Sequence, residues 1–199
     1  VISGNLQDGL AIGGAGNVLR GNRIGTNAAG TAALGNGSSS GVWIFAPGNI
    51  VGGTTAAERN IISGNTYGVI LNGAADNTLI QGNYIGTDVT GALALGNDHG
   101  VVVDSGASDN LIGGTAAGAG NLISGNFYEG IKIVDDGTTG NVVQGNRIGT
   151  DKTGTAALGN VDGILIVNSS SNRIGGTSAA ARNIISGNLR AGVTIRYAA

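Results

Sequence analysis

The sequence contains an internal repeat of about 61 residues, and this periodicity restricts the folds that the chain can adopt. The tetrapeptide Ile-Ser-Gly-Asn begins at Ile2, Ile62, Ile123 and Ile185, at intervals of 60, 61 and 62 residues. The sequences Ile-Gly-Thr, Leu-Gly-Asn and Gly-Gly-Thr each recur three times with the same period. Repeats of this kind predict an elongated stack in which each unit packs on its neighbours.

Each repeat divides into two similar halves. A segment of the form Gly-apolar-x-apolar opens the halves, at residues 41–44, 68–71, 100–103, 130–133 and 163–166. Two shorter segments, mostly of the form Asn-x-apolar, follow in each half, as in Asn110-Leu111-Ile112. We therefore predict three short strands in each half, which makes one half a single coil of about 28 to 34 residues.

The alternation of side chains within these segments has the period of a β-strand. In the segment 130–133 it points Ile131 and Ile133 inward and Lys132 outward. A single coil cannot bury its inner face, but stacked coils can, because each strand pairs with the same strand above and below. The 40 glycines favour tight corners and disfavour helices. The sequence thus predicts an all-β, right-handed parallel β-helix solenoid of about six coils.

We expect one domain over residues 1–199, with units at roughly 5–64, 65–125 and 126–187 and a partial unit at 188–199. The first and last residues both fall inside repeats. We therefore expect the chain to be a fragment of a longer repeat protein.

Asparagine recurs where we predict corners. Asn22, Asn83 and Asn146 form one predicted rank, and a second rank consists of Asn60, Asn121 and Asn183. Asparagine tolerates left-handed backbone, and stacked amides can hydrogen-bond along a solenoid. We therefore predict a structural role for these residues.

Charge and composition argue against several kinds of partner. The net charge is −2, and the ten Lys and Arg residues are spread along the sequence. Nucleic acids and anionic membranes require clustered basic residues, so we expect neither as a partner. No apolar run approaches the roughly 18–20 residues of a membrane span. The chain has no cysteine and therefore no disulfide.

The longest repeated motif runs from Ile148 to Asn160. It returns at 85–97 and, with Asn27 in place of aspartate, at 24–36. The coil pattern resembles the pectate-lyase-like superfamily of right-handed β-helices, and this motif is similar to repeat arrays of large secreted or surface bacterial proteins. The resemblance implies an extracellular or cell-surface location. It implies little about activity, because the superfamily includes lyases, hydrolases, adhesins and inert stalks.

The corner before the opening strand carries Tyr67, His99, Glu129 and Asp162 in successive coils. Glu129 and Asp162 can approach the separation of the two carboxylates in a retaining glycosidase. Enzymes of the resembled superfamily use such acidic clusters with a nearby basic residue. The residues to test for this activity are Asp98, His99, Glu129, Lys132 and Asp162. Solvated corner residues explain the same pattern, and we assign no catalytic residue.

Two groups of aspartates raise the alternative of calcium binding. Asp104, Asp135 and Asp136 follow the opening strands of adjacent coils. Asp88 and Asp151 lie in predicted protruding loops, where the first copy has Asn27. Local bonding in turns explains aspartate and asparagine equally well. We therefore expect no metal or other cofactor.

The outward positions of the opening strands form an apolar row. The row consists of Ala11, Trp43, Ile70, Val102, Lys132, Leu165 and Thr194. A second row beside it consists of Phe45, Asn72, Asp104, Val134 and Val167. Exposed apolar faces usually contact a partner. The residues of the candidate partner- or sugar-binding face are Trp43, Phe45, Tyr67, Ile70, Val102 and Leu165. Coverage by local loops, or an error in the inward–outward assignment, is the other explanation.

These observations favour a non-catalytic extracellular rod, structural or adhesive, that self-associates or binds a neighbouring protein through its strand faces or ends. The near-identity of the units favours this function, because an enzyme concentrates its chemistry in one place. The alternatives are a polysaccharide lyase or glycoside hydrolase, and a carbohydrate-binding module that stacks sugars on Trp43 and Tyr67.

Overall fold

A computed structural model describes residues 1–37 and 39–197. Within these residues, 19 short strands form three parallel sheets, and each turn of the chain contributes one strand to each sheet. We number the strands in chain order. The first sheet contains β1 (Leu10–Ile12), β4 (Ser40–Ile44), β7 (Tyr67–Asn72), β10 (His99–Asp104), β13 (Glu129–Val134), β16 (Asp162–Val167) and β19 (Ala191–Arg196).

The other two sheets follow in the same order along each coil. The second sheet contains β2 (Val18–Leu19), β5 (Ile50–Gly52), β8 (Leu79–Gln81), β11 (Leu111–Gly113), β14 (Val142–Gln144) and β17 (Arg173–Ile174). The third contains β3 (Arg23–Ile24), β6 (Ile61–Ile62), β9 (Tyr84–Ile85), β12 (Leu122–Ile123), β15 (Arg147–Ile148) and β18 (Ile184–Ile185). A short 3-10 helix at Ala179–Ala181 precedes β18.

The structure confirms the predicted all-β parallel solenoid, with about six turns and three strands per turn. The register also confirms the predicted outward row of the first sheet, because Trp43 pairs with Ile70, Ile70 with Val102 and Lys132 with Leu165. The inward residues form one continuous apolar core. In the third sheet its fully buried members are Ile24, Ile62, Ile85, Ile123 and Ile148.

Each coil has three corners, one before each of its strands. At each corner the asparagines of successive coils form a hydrogen-bonded ladder. Ladder I precedes the first sheet and contains Asn5, Asn36, Asn65, Asn97, Asn126, Asn160 and Asn188. Ladder III precedes the third sheet and contains Asn22, Asn60, Asn83, Asn121, Asn146 and Asn183. In ladder I the backbone N–H and the side-chain amide of Asn65 both donate to Oδ1 of Asn97, 3.1 and 3.2 Å away. Each step therefore pairs buried polar groups that would otherwise be costly.

The ladders correct two details of the sequence analysis. The two predicted asparagine ranks interleave into ladder III, since Asn22 bonds to Asn60 and Asn60 to Asn83. None of the ladder III asparagines has a left-handed backbone; at Asn22, Asn83 and Asn146 it belongs to the preceding glycine, such as Gly21 with φ 67° and Gly82 with φ 66°. In these alternate coils glycine makes the turn, and in every coil asparagine joins one coil to the next.

Ladder I and the backbone carbonyls of the next coil together explain why glycine stands near the start of each opening strand up to β16. A Cβ at Gly41 would lie 2.8 Å from Nδ2 of Asn65, and a Cβ at Gly68 would lie 2.9 Å from Nδ2 of Asn97. Real Cβ atoms do not approach polar atoms so closely, so a larger residue would displace the ladder.

The two-coil period arises from loops that alternate between two corners. After β3, β9 and β15 the chain forms a long loop closed by an antiparallel bridge, such as Thr87 with Ala94. After β5, β11 and β17, in the intervening coils, extra residues are inserted between the second and third sheets instead. Both kinds of loop adjoin the third sheet, because one kind leads into it from the second sheet and the other leaves it toward the first sheet.

Ladder II precedes the second sheet and has a substitution in the middle. Its members are Asn17, Asn49, Thr78, Asn110, Asn141 and Asn172. Thr78 is fully buried, and its hydroxyl has no hydrogen-bond partner. The amide oxygen of Asn49 accepts a hydrogen bond from the N–H of Asn17 at 2.8 Å. The Thr78 hydroxyl does not accept the equivalent bond from the N–H of Asn49.

We predict that Thr78→Asn stabilises the protein. The new amide restores the missing step of ladder II, so the free energy of unfolding should rise by about 1 kcal/mol in urea titrations. The reverse change elsewhere in the ladder, Asn141→Thr, is the matched control and should lower it by about 1–3 kcal/mol. A Thr78→Asn variant that unfolds at lower urea concentration than the parent would contradict this account of the ladder.

Candidate functional sites

The structure brings the predicted corner residues together. His99 stacks between two tyrosine rings, with centroid distances of 5.4 Å to Tyr67 and 5.1 Å to Tyr128. Its Nδ1 lies 2.6 Å from Oε2 of Glu129. The register places Asp162 beside Glu129 in the next coil. The aromatic partner Tyr128 was missed from the sequence, because it lies one residue before the predicted rank.

The two carboxylates of this corner are already occupied by partners. The hydrogen bond from His99 lowers the pKa of Glu129, so it is a poor proton donor near neutral pH. Asp162 is fully buried and accepts hydrogen bonds from the Arg190 guanidinium and from the backbone N–H of Ala191. Asp162 in turn raises the pKa of Arg190. A glycosidase pair needs one carboxylic acid with a raised pKa, and Glu129 is shifted in the opposite direction.

The other two residues proposed for catalysis take part less directly. Lys132 points outward from β13 in the row beside Leu165, and its charge contributes to the lowered pKa of Glu129. Asp98 joins neighbouring coils through its backbone, donating to Asn65 O at 3.0 Å and accepting from Tyr128 N at 2.8 Å.

The candidate apolar face of the first sheet is uneven. Phe45 is 39% exposed, and its ring lies 4.8 Å from that of Trp43. Trp43, Tyr67 and Ile70 are half-buried. Val102 and Leu165 point outward but are only 4% and 3% exposed. The accessible apolar surface of this face is therefore concentrated at the end that carries Trp43 and Phe45.

Two of the three aspartates considered for calcium after the opening strands, Asp104 and Asp135, bind protein groups. Asp104 accepts a hydrogen bond from Asn72 Nδ2 at 2.8 Å, and Asp135 accepts one from Ser105 N at 3.3 Å. Across residues 1–37 and 39–197, no group of three or more His, Cys, Asp or Glu side chains is arranged to hold a metal ion.

Asp88 and Asp151 close the long loops as turn residues. Oδ1 of Asp151 accepts the N–H groups of Thr155 and Ala156 at 3.0 and 3.2 Å, and Asn27 plays the same part in the first copy. Hydrogen bonds from Thr153 and from the backbone lower the pKa of Asp151 to about 2. Burial works to raise the pKa of Asp88, but its hydrogen bonds outweigh burial and lower it.

A groove along the outer face of the third sheet was not foreseen. Its floor is the outward row of that sheet, which consists of Arg23, Ile61, Tyr84, Leu122, Arg147 and Ile184. The long loops were expected to protrude, but they fold back beside this row. A Cβ at Gly91 would lie 2.8 Å from the Tyr84 ring and 2.9 Å from Leu122.

Stacked loops wall the groove on both sides. On one side the backbone of Val89 donates to Gly30 O at 2.9 Å, and that of Lys152 donates to Gly91 O at 3.0 Å. On the other side the shorter insertions bond to the corner that precedes the third sheet, as Ala119 O accepts the N–H of Gly82 at 2.9 Å. Hollows of about 380 and 190 Å³ lie between the walls.

Four cations line these hollows: Arg23, Arg59, Arg147 and Lys152. The Arg59 guanidinium lies 4.1 Å above the Tyr84 ring, and its Nε donates to Gly82 O at 3.1 Å. Within the described part of the chain, none of the four forms an ion pair with a carboxylate. Four of the ten Lys and Arg residues, which are spread along the sequence, are therefore gathered on one face. The available signal was the recurrence of Arg-Ile before Gly-Thr at Arg23 and Arg147.

The fold and these surfaces define the chain as a parallel β-solenoid repeat protein. No protein family, curated protein or solved structure matches it significantly. The described residues include no helix with the length and apolar character needed to cross a membrane.

We predict that Asp151→Asn preserves its loop and that Asp151→Ala loosens it. Asparagine retains the acceptor oxygen, as Asn27 does in the first copy, whereas alanine removes it. The measurement is amide hydrogen exchange at Thr155 and Ala156, which should quicken only in the alanine variant. Because the pKa is lowered on folding, the parent loop should keep this support above roughly pH 4 and lose it as the pH falls through about 2. Equal exchange in the two variants would contradict the turn role.

Proposed function

We propose that this chain is a non-catalytic, extracellular rod of a structural or adhesive protein, which associates with copies of itself or with a neighbouring protein. The observation that carries the proposal is the continuity of the ladders. Ladders I and III run through every coil without a break, so the coils form one stiff unit. The similarity of the repeats to arrays in large secreted or surface bacterial proteins supports the location.

The repetition of the loops also supports this function. The loops close with the same bridge in each unit, at Thr26–Ala33, Thr87–Ala94 and Thr150–Ala157. A rod gains length and a regular surface from such units. The cluster around His99 differs most from one repeat to the next. Its rings and carboxylates contact one another, which favours a structural role for this corner.

The first-sheet face supplies a surface for association. Trp43 and Phe45 form an aromatic pair beside an open strand face, and aromatic residues contribute strongly to protein interfaces. The same pair is compatible with the carbohydrate-binding alternative, because rings of this kind also stack on sugars. The His99 corner remains the place to test for the enzyme alternative.

Incubation with a panel of plant and algal polysaccharides tests the absence of catalysis. We expect the protein to release neither reducing ends nor unsaturated products, because Glu129 and Asp162 are held by His99 and Arg190. Product release that disappears in His99→Ala would overturn the proposal in favour of a lyase or hydrolase.

Light scattering over a range of protein concentrations tests self-association. We expect the weight-average molar mass to rise with protein concentration. This rise should be smaller in Trp43→Ser/Phe45→Ser, because the variant lacks the exposed rings. The control Leu93→Ser/Phe127→Ser removes exposed apolar groups elsewhere and should leave the rise unchanged. A parent protein that stays monomeric at high concentration would count against self-association. Glycan binding without turnover, lost in the Trp43 variant, would favour the carbohydrate-binding alternative.

A further inference from the structure

We propose that the groove on the third sheet binds a linear anionic polysaccharide with about one acidic group per disaccharide. The groove is distinct from the first-sheet face used for association, and its ligand is recognised by charge. The floor residues between the cations, Ile61 and Leu122, are only 5% and 3% exposed, so they offer a ligand little surface. The accessible functional groups of the groove are therefore its cations and the ring of Tyr84.

The cations are available to an external anion. Arg147 and Lys152 have no carboxylate partner in the described residues, and they line the same hollow as Arg59 and Tyr84. The nearby acidic groups are occupied. Glu58 is bound by Arg20 at 3.0 Å and by the N–H groups of Thr54 and Thr55, outside the hollow.

The carboxylates of the long loops also accept hydrogen bonds within those loops. Asp88 accepts hydrogen bonds from the Thr90 hydroxyl and from the backbone of Ala92 and Leu93. Asp151 accepts equivalent bonds within its own loop. The walls of the groove thus contribute the positive charge of Lys152, while their acidic side chains are hydrogen-bonded within the loops. The groove is therefore locally cationic, although the net charge of the chain is −2.

The spacing of the cations identifies the class of polymer. Arg23, Tyr84 and Arg147 occupy alternate coils, with Arg59 above Tyr84. Strands stack at about 4.8 Å, so these positions repeat every ~10 Å over a total of ~19 Å. An extended disaccharide is of similar length, and one acidic group per disaccharide would meet one cationic position per repeat.

A nucleic acid fits this spacing poorly. A DNA duplex carries one phosphate per strand for about every 3.4 Å of helix axis, so most of its phosphates would lie opposite no cation. The net charge of the chain outside the groove is negative, and this repulsion also disfavours a densely charged anionic polymer. The groove therefore matches a sparsely charged chain, and the acidic group can be a carboxylate or a sulfate ester.

Titration calorimetry of the intact protein with defined glycans tests the proposal. The probes are hyaluronan octasaccharide, with one carboxylate per disaccharide, and κ-carrageenan oligosaccharide, with one sulfate per disaccharide. Neutral dextran and a short DNA duplex serve as comparisons. We expect one or both of the sparsely charged glycans to bind, and binding to weaken with added salt. Which of the two binds identifies the acidic group.

Paired variants locate the site. Arg147→Gln/Lys152→Gln should weaken glycan binding about tenfold or more, because charged hydrogen bonds are lost. Arg173→Gln/Arg196→Gln removes the same charge from the other two sheets and should leave binding unchanged. Thermal unfolding confirms that each variant folds. The proposal is overturned if neither anionic glycan binds at low salt, if dextran or the DNA duplex binds as tightly, or if both pairs of substitutions weaken binding equally.

Discussion

Hydrogen bonding between asparagines of successive coils is the interaction on which the rest of this structure depends. The asparagines of the inner coils, such as Asn36, Asn97 and Asn121, are almost fully buried, and an unpaired amide at any of these positions would cost about 1–3 kcal/mol. Each is paired only when the coils above and below are in register. The ladders therefore fix where every corner lies, and the neighbouring glycines are required because the amides occupy the space of a Cβ.

The fixed corners also determine where the surface can vary. Extra residues are accommodated only between a ladder and the adjoining strand, and they are inserted at alternate coils on the two sides of the third sheet. The first sheet carries the Trp43–Phe45 pair, while the outer face of the third sheet becomes a groove lined by Arg59 and Arg147. One repeat thus produces two surfaces of different chemistry, one suited to apolar contact and one to anions.

The sequence was sufficient to predict the coils, the inward isoleucines and the row from Trp43 to Leu165, because strand alternation and a repeat length together specify register. It also placed His99 next to Glu129. The groove was not predictable in the same way, because it requires the path of loops that fold back. Arg59 and Arg147 lie 88 residues apart in different kinds of segment, and only their loops and strands bring them to one hollow. The burial of Val102 and Leu165 likewise depends on surrounding side chains, which a strand pattern does not describe.

Backbone hydrogen exchange at the ladder asparagines tests the account most directly. The N–H groups of Asn65, Asn97 and Asn126 lie outside the strands and bond to side-chain oxygens of the next coil. Exchange followed by NMR should therefore be as slow at these three residues as at the core strand residues Val101 and Ile131. Exchange as fast as that of the exposed loop residues would show that the ladders do not hold the coils together, and would contradict the account.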